Sequence, residues 1–296
     1  MKNKIAIVGA SGTLGMSLVA QFQQGGRAVR ALVREPVKVK WLLQGASEAV
    51  WCDLLTIPPS LLGEQLKGCD VVVHAATELP DRLQPGGDWE VNNSLRMKGT
   101  SRLIEASLRA GVGQYLQAST ISAYVDGRDE WQDEFTAFDI LPARAMETLA
   151  VADMERRVRE IPEEKMGWAI LRLGELTGPG TSQEALIQKI WEGRVSVPGN
   201  GNHFISPVSS LDAAEAFVRV SQGSVHSGVF NIVDEPLRYN EYLDALSDRL
   251  GAPRPRRELS QYGSLSHRCS NEKARKWLGW TPAWGMVAGK RKVIAV

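Results

Sequence analysis

Seven residues near the start of the chain have the types and spacing of a phosphate cradle: Gly9, Ala10, Ser11, Gly12, Thr13, Leu14 and Gly15. In such a turn the first glycine permits a tight bend. The second lets the backbone approach a pyrophosphate, and the third lets the following helix pack closely on the preceding strand. The helix N-terminus then faces the negative charge. The turn follows the apolar run Ile5-Ala6-Ile7-Val8 and opens a helical pattern over residues 14–24. That strand–helix context is what gives a glycine pattern its meaning. Dinucleotide binding is the expectation, and a glycine-rich turn without a ligand is the alternative.

Further candidates lie where later strands end. A second strand, over residues 28–33, runs into Arg34, with no acid before Glu35. A carboxylate at this place hydrogen-bonds the ribose 2′-hydroxyl of NAD, whereas a cation accommodates the 2′-phosphate of NADP. Arg34 could pair bidentately with that phosphate, so NADP (as NADPH) is expected over NAD, an ordinary surface arginine being the alternative. Asp53, beside Leu54, follows a short third strand and either accepts from the adenine amino group or caps the next turn. Ala75, Ala76 and Thr77 follow a fourth strand and are small enough to let backbone pass close to a ligand, while His74 reads as structural. Thr120, at the end of a fifth strand, is a candidate to hold a substrate oxygen or to cap its own loop. Tyr124 is a candidate proton donor. Arg128, four residues later, mimics a tyrosine–cation pair, but Asp126 and Gly127 between them argue for a loop.

These residues need a scaffold that brings strand ends to one edge. The pattern supplies strands near residues 5–8, 28–33, 49–52, 71–73, 115–118, 169–173 and 230–233. Helices are expected near 14–24, 61–66, 100–110, 143–159, 239–250 and 271–278. Strand–helix alternation with a continuous β-branched run such as Val71-Val72-Val73 implies an α/β fold, a doubly wound parallel sheet with right-handed crossovers.

With 296 residues, 43% of them hydrophobic, the chain can bury a large core. A net charge of +1 argues against general attraction to nucleic acid or an anionic membrane surface. No apolar run approaches the ~18 residues of a membrane span. The opening Met1-Lys2-Asn3-Lys4 runs straight into a strand without a leader pattern, so a cytoplasmic location is expected. The three cysteines, Cys52, Cys69 and Cys269, form no C-x-x-C pair, which suits a reducing compartment and gives no metal site.

The order of these motifs resembles the extended short-chain dehydrogenases/reductases, the NAD(P)-dependent nucleotide-sugar epimerase/dehydratase group. The resemblance rests on Gly9 to Gly15, Asp70 to Ala76, Gly99-Thr100, Ser119-Thr120 with Tyr124, and Leu171-Arg172-Leu173-Gly174. It continues through Gly178-Pro179-Gly180, Trp191-Glu192-Gly193, Asp212-Ala213-Ala214, Phe230-Asn231-Ile232 and the segment from Asn271 to Pro282. It implies a Rossmann domain (residues 1–174 plus about 204–233) and a smaller C-terminal α+β substrate domain (about 175–203 plus 234–296). A small-molecule substrate would lie in the cleft between them, where Gly174 joins the cofactor wall. Glu175, Arg194, His203 and Arg268 are candidates from the second domain. The resemblance also implies a possible homodimer.

The family's redox members carry Tyr-x-x-x-Lys on the helix after strand five, and this chain departs from that pattern. No tyrosine lies between Tyr124 and Tyr239, and no lysine between Lys98 and Lys165. Counting from Glu155, the two places fall on Glu147 and Val151. Arg96 stands where relatives often keep an asparagine, with Asn92 and Asn93 nearby. Two functions follow: an NADPH-dependent oxidoreductase of atypical kind, or a non-catalytic NADP(H)-binding regulator, redox sensor or assembly protein. Ordinary sugar epimerisation needs the tyrosine base and is the weaker reading.

Overall fold

A computed structural model describes residues 4–45, 47–78, 89–197, 199–223, 226–257, 264–285 and 292–293. Seven strands form one sheet: β1 Lys4–Val8, β2 Ala28–Val33, β3 Glu48–Trp51, β4 Val71–His74, β5 Gln114–Thr120, β6 Gly167–Leu173 and β7 Ser227–Ile232. The order across the sheet is β7-β6-β5-β4-β1-β2-β3, and every pairing is parallel. The order reverses between β1 and β4, which leaves a crevice at their carboxyl ends.

Nine α-helices accompany the sheet among the described residues. They are α1 Thr13–Gln24, α2 Pro59–Leu66, α3 Glu90–Ser94, α4 Thr100–Ala110, α5 Ala145–Arg159, α6 Ser182–Trp191, α7 Ser210–Gln222, α8 Tyr239–Leu250 and α9 Glu272–Leu278. Alternation along β1 sends Ile5 and Ile7 to one face and Ala6 and Val8 to the other. The first face packs against Leu18 and Phe22 of α1 and Phe217 of α7. The second packs against Leu62 of α2, Leu103 of α4 and Val158 of α5. Each fully buried side chain of this size contributes about 1.5–3 kcal/mol. A separate, smaller core joins Ile190 of α6, Val197, Ile205 and Tyr242, Leu243 and Leu246 of α8.

The long helices and sheet strands lie close to where the sequence pattern sets them. Three regions differ. Helix α6 has no counterpart in the pattern, although Thr181 caps it by accepting from the Gln183 backbone N–H at 3.2 Å. Helix α7 has none either, although Ser209 caps it by accepting from the Asp212 backbone N–H at 2.9 Å. The third is the run α3–α4, which is helical from Glu90 and passes through a π-turn at Leu95–Gly99. A π-turn adds a residue to the helical register, so the asparagines at 92 and 93 lie further round the helix than regular spacing predicts.

Candidate active site

The crevice opens into a cleft of about 1530 Å³. Its first wall is the glycine turn. Gly9 has φ +86°, and a Cβ there would come within 2.6 Å of the Ala76 backbone nitrogen. At Gly15 a Cβ would lie 2.1 Å from the Gly9 carbonyl oxygen, so α1 sits directly on the turn. Gly12, the N-cap of α1, has no capping side chain, and the first turn holds no acid. The leading N–H groups of α1 therefore face the cleft without a side-chain anion, as a pyrophosphate requires. Gly9, Ser11, Gly12, Thr13, Leu14 and Gly15 all line the cleft. Ala10 does not; it is fully buried in the core. Thr13 donates from Oγ1 to the Gly180 carbonyl at 2.6 Å, which ties the turn to the Gly178-Pro179-Gly180 bend.

Along the β2–β3 side, Arg34, Asp53 and Leu54 line the cleft. Arg34 is exposed and ion-paired with Glu78 at 3.0 Å. Asp53 Oδ1 accepts from the Leu55 N–H at 3.0 Å, so its carboxylate caps the following turn. Ala75, Ala76, Thr77 and Gly174 line the cleft as well. A Cβ on Gly174 would meet the Ser206 carbonyl at 2.0 Å, so this glycine is required by backbone packing.

His74 is fully buried below this wall. Its Nδ1 lies 3.0 Å from Gln117 Oε1 and 3.3 Å from Thr100 Oγ1. Burial lowers its pKa to about 4, against a partial opposing effect from Gln117. A neutral imidazole in the core is a structural group.

The two candidate catalytic residues part company. Thr120 lines the cleft; its Oγ1 accepts from the Ser122 N–H at 3.1 Å and sits 2.9 Å from Ser122 Oγ. Tyr124 is fully buried. Its hydroxyl donates to Asn231 Oδ1 at 2.7 Å and accepts from Arg172 Nη1 at 2.8 Å. Burial raises the Tyr124 pKa, and Arg172 offsets only part of this. Arg128 adopts φ +51° in a turn, in line with the loop that Asp126 and Gly127 suggested.

Arg172 makes a bidentate pair with Glu155, Nε to Oε1 at 2.9 Å and Nη2 to Oε2 at 2.7 Å. Glu155 also accepts from Ser119 Oγ and from Arg159. Burial opposes the charge on Arg172, but Glu155 and the Tyr124 hydroxyl outweigh it and raise the guanidinium pKa. The network locks β5, β6, β7 and α5 together behind the cleft. Loss of one charged partner from such a pair costs about 3–5 kcal/mol.

Helix α5 contains neither tyrosine nor lysine. Its start presents Arg144 and Glu147 to the cleft, paired at 3.1 Å, while Arg144 Nη2 donates to the Ser122 carbonyl at 2.7 Å. Arg96 is buried and donates to the Glu147 carbonyl at 3.1 Å. Asn92 holds the Glu78 N–H at 3.1 Å instead.

The far wall carries Glu175 and His203, as the resemblance implied, together with Phe204, Tyr239, Tyr242 and His267. Arg194 pairs with Glu192, and Arg268 stacks over Trp131 at 4.3 Å. Neither is among the described residues of the cleft. Ser122, Arg144, Tyr239 and His267 escaped sequence reasoning; only the aromatic spacing of Tyr239 and Tyr242 on one helix face was available as a signal.

The chain matches the NAD dependent epimerase/dehydratase family over residues 5–233 and belongs to it. It is 27% identical to a 3-diazoavenalumate denitrifying reductase of a Streptomyces species, over 94% of this chain and 96% of that one. A photosystem II assembly factor, Ycf39 of Cyanophora paradoxa, is 31% identical over 40% of this chain and 35% of its own. Among solved structures, the fold superposes on UDP-glucuronic acid 4-epimerase from Bacillus cereus in complex with NAD with a TM-score of 0.81. The identity there is 18%, over 96% of this chain and 94% of that one.

Proposed function

We propose that the protein is an NADPH-dependent oxidoreductase that reduces a small organic substrate in the cleft. The observation that carries this reading is the continuity of the cleft. One space of about 1530 Å³ joins the open N-terminus of α1 to the Thr120 and Ser122 hydroxyls. The likeness to a reductase over nearly the full length of both chains supports it. No described helix is long and apolar enough to cross a membrane.

A nicotinamide dinucleotide supplies the hydride when bound. The protein's own residues do the rest. Gly9, Gly12 and the leading N–H groups of α1 would hold the pyrophosphate, and Leu54, Ala75, Ala76 and Thr77 would shape the walls beside it. Arg34, now paired with Glu78, would hold a 2′-phosphate, which would favour NADP over NAD. Thr120 holds the substrate oxygen through Oγ1. That oxygen takes its proton from solvent water, because the Tyr124 hydroxyl is committed to Asn231 and Arg172.

The absence of tyrosine and lysine from α5 favours a second reading, a dinucleotide-binding regulator or assembly protein. Titration with NADPH and NADH, followed by nicotinamide fluorescence, separates the cases. The NADPH complex is then offered quinones, enones and aldehydes. Tight NADPH binding with saturable oxidation is expected. Tight binding without turnover across the panel would replace the oxidoreductase with the regulator, and binding of neither nucleotide would remove both.

A further inference from the structure

The far half of the cleft differs in chemistry from the cofactor half. His203 and Tyr239 stack with ring centroids 4.9 Å apart and an interplanar angle of 30°; Tyr239 and Tyr242 follow at 6.4 Å and 28°. The stack joins the loop between α6 and α7, which carries His203, to the start of α8, with Tyr242 buried at its inner end. Gln183 Nε2 donates to the Tyr242 hydroxyl at 2.9 Å, which fixes that ring from below. Tyr239 and His203 are only partly buried, and both line the cleft.

Charge on this wall disfavours a phosphate. Among the described residues, the cleft is lined by three permanent cations, Arg34, Arg96 and Arg144. Arg34 pairs with Glu78, and Arg144 pairs with Glu147. Arg96 is buried against the backbone of α5. None stands on the aromatic platform. Burial lowers the pKa of His203, and neighbouring His267 lowers it further; burial does the same to His267. Both imidazoles are therefore neutral near pH 7. Glu175 lies close enough to raise the pKa values of Tyr239 and Tyr242, after burial, and so adds negative charge. A nucleoside-diphosphate sugar brings two negative charges to a wall of this kind, where no arginine or lysine is among the described lining residues and Arg238 and Arg268 are held behind Phe204. A flat, uncharged ring gains stacking area on the exposed parts of His203 and Tyr239 and loses little.

We infer that the substrate half of the cleft takes a planar aromatic compound without phosphate, stacked on His203 and Tyr239, with its polar substituent reaching Thr120 and Ser122. This rests on the oxidoreductase reading and names its substrate class.

The test uses the full chain saturated with NADP+, so that no turnover occurs. Binding of the dinucleotide is read first. Cinnamaldehyde, 2-naphthaldehyde and 1,4-naphthoquinone are then titrated against UDP-glucose by calorimetry, and ring-to-ring nuclear Overhauser effects are sought in the native protein. At least one aromatic probe is expected to bind more tightly than UDP-glucose, with contacts to the His203 and Tyr239 rings. Tyr239→Leu should weaken that probe by about fivefold to tenfold, whereas Tyr239→Phe should stay within about twofold. Dinucleotide affinity should be unchanged in both variants. Tighter binding of UDP-glucose overturns the inference while the oxidoreductase reading stands. So does dinucleotide binding with no aromatic probe bound, or an aromatic probe that makes no contact with these rings. Failure of the dinucleotide itself to bind removes both.

Discussion

The two halves of the cleft are built from different parts of the amino acid. The cofactor half is made of backbone: a glycine turn, a free helix end and small side chains that keep out of the way. Its geometry depends on Gly9 and Gly15, where a Cβ would strike backbone at 2.6 and 2.1 Å. The far half is made of side chains: His203 from the loop before α7, stacked on Tyr239 and Tyr242 of α8. A backbone site tolerates almost no substitution. A side-chain site can be rebuilt one residue at a time without disturbing the fold. That difference explains how a dinucleotide site can persist in one half while the other comes to hold different chemistry, including a helix α5 that lacks tyrosine and lysine.

The comparison breaks most readily at Gly9. Gly9→Val should abolish dinucleotide binding and lower stability by roughly 2–5 kcal/mol, from left-handed backbone strain and overlap with Ala76. Chemical denaturation and nucleotide titration read both. If the variant keeps native affinity, the cofactor half is not a backbone site.

The floor under the two halves gives a pH signature. His74 has a folded-state pKa of about 4, below the ~6.5 of an unfolded chain. Its contribution is complete above pH 6.5. It is lost as pH falls towards 4, because the unfolded state binds the proton first. The loss amounts to roughly 3 kcal/mol by pH 4. Stability of His74→Gln, measured by denaturation from pH 7 to pH 4, should fall less steeply than that of the native chain. Parallel curves would mean that His74 is protonated equally in both states.

Thr120 and Tyr124 sharpen the line between cleft and scaffold. Thr120→Ala should lower kcat by about tenfold to hundredfold with little change in stability. Tyr124→Phe should leave kcat within about twofold and cost roughly 1–2 kcal/mol, because its hydroxyl serves Arg172 and Asn231. Steady-state kinetics beside denaturation decides this. A kcat collapse in Tyr124→Phe at unchanged stability would return Tyr124 to the reacting atoms.

The smallest effect is expected at the rim. Arg34→Ala should weaken NADPH by about fivefold to tenfold and NADH hardly at all. Glu78→Gln, which releases Arg34 from its exposed pair, should strengthen NADPH slightly. Equal changes for both nucleotides would show that Arg34 does not discriminate between them.

Much of the scaffold was legible because its causes are local. A β-branched run buried on both faces, a glycine after a helix and a glycine turn between strand and helix each act within a few residues. The parallel sheet and the cleft-lining places of Gly9, Gly12, Arg34, Ala75, Ala76 and Thr120 follow from that. Helix α7 was missed although Ala213, Ala214, Phe217 and Val220 give it an apolar face, which packs beside α1 in the core. Tyr124 was placed near the chemistry by counting along the chain. Burial turned its hydroxyl towards Arg172, a residue 48 positions away.

The sequence by itself determined the sheet, the glycine cradle and the lack of a tyrosine–lysine pair on α5. Tertiary structure decided which side chains face the cleft and which lock the scaffold. It sent Asp53 to cap a turn, paired Arg34 with Glu78 and Arg144 with Glu147, and stacked His203 on Tyr239. The reason is range. A backbone turn is specified by its own residues, whereas an ion pair or a ring stack exists only once packing has brought distant segments within a few ångströms.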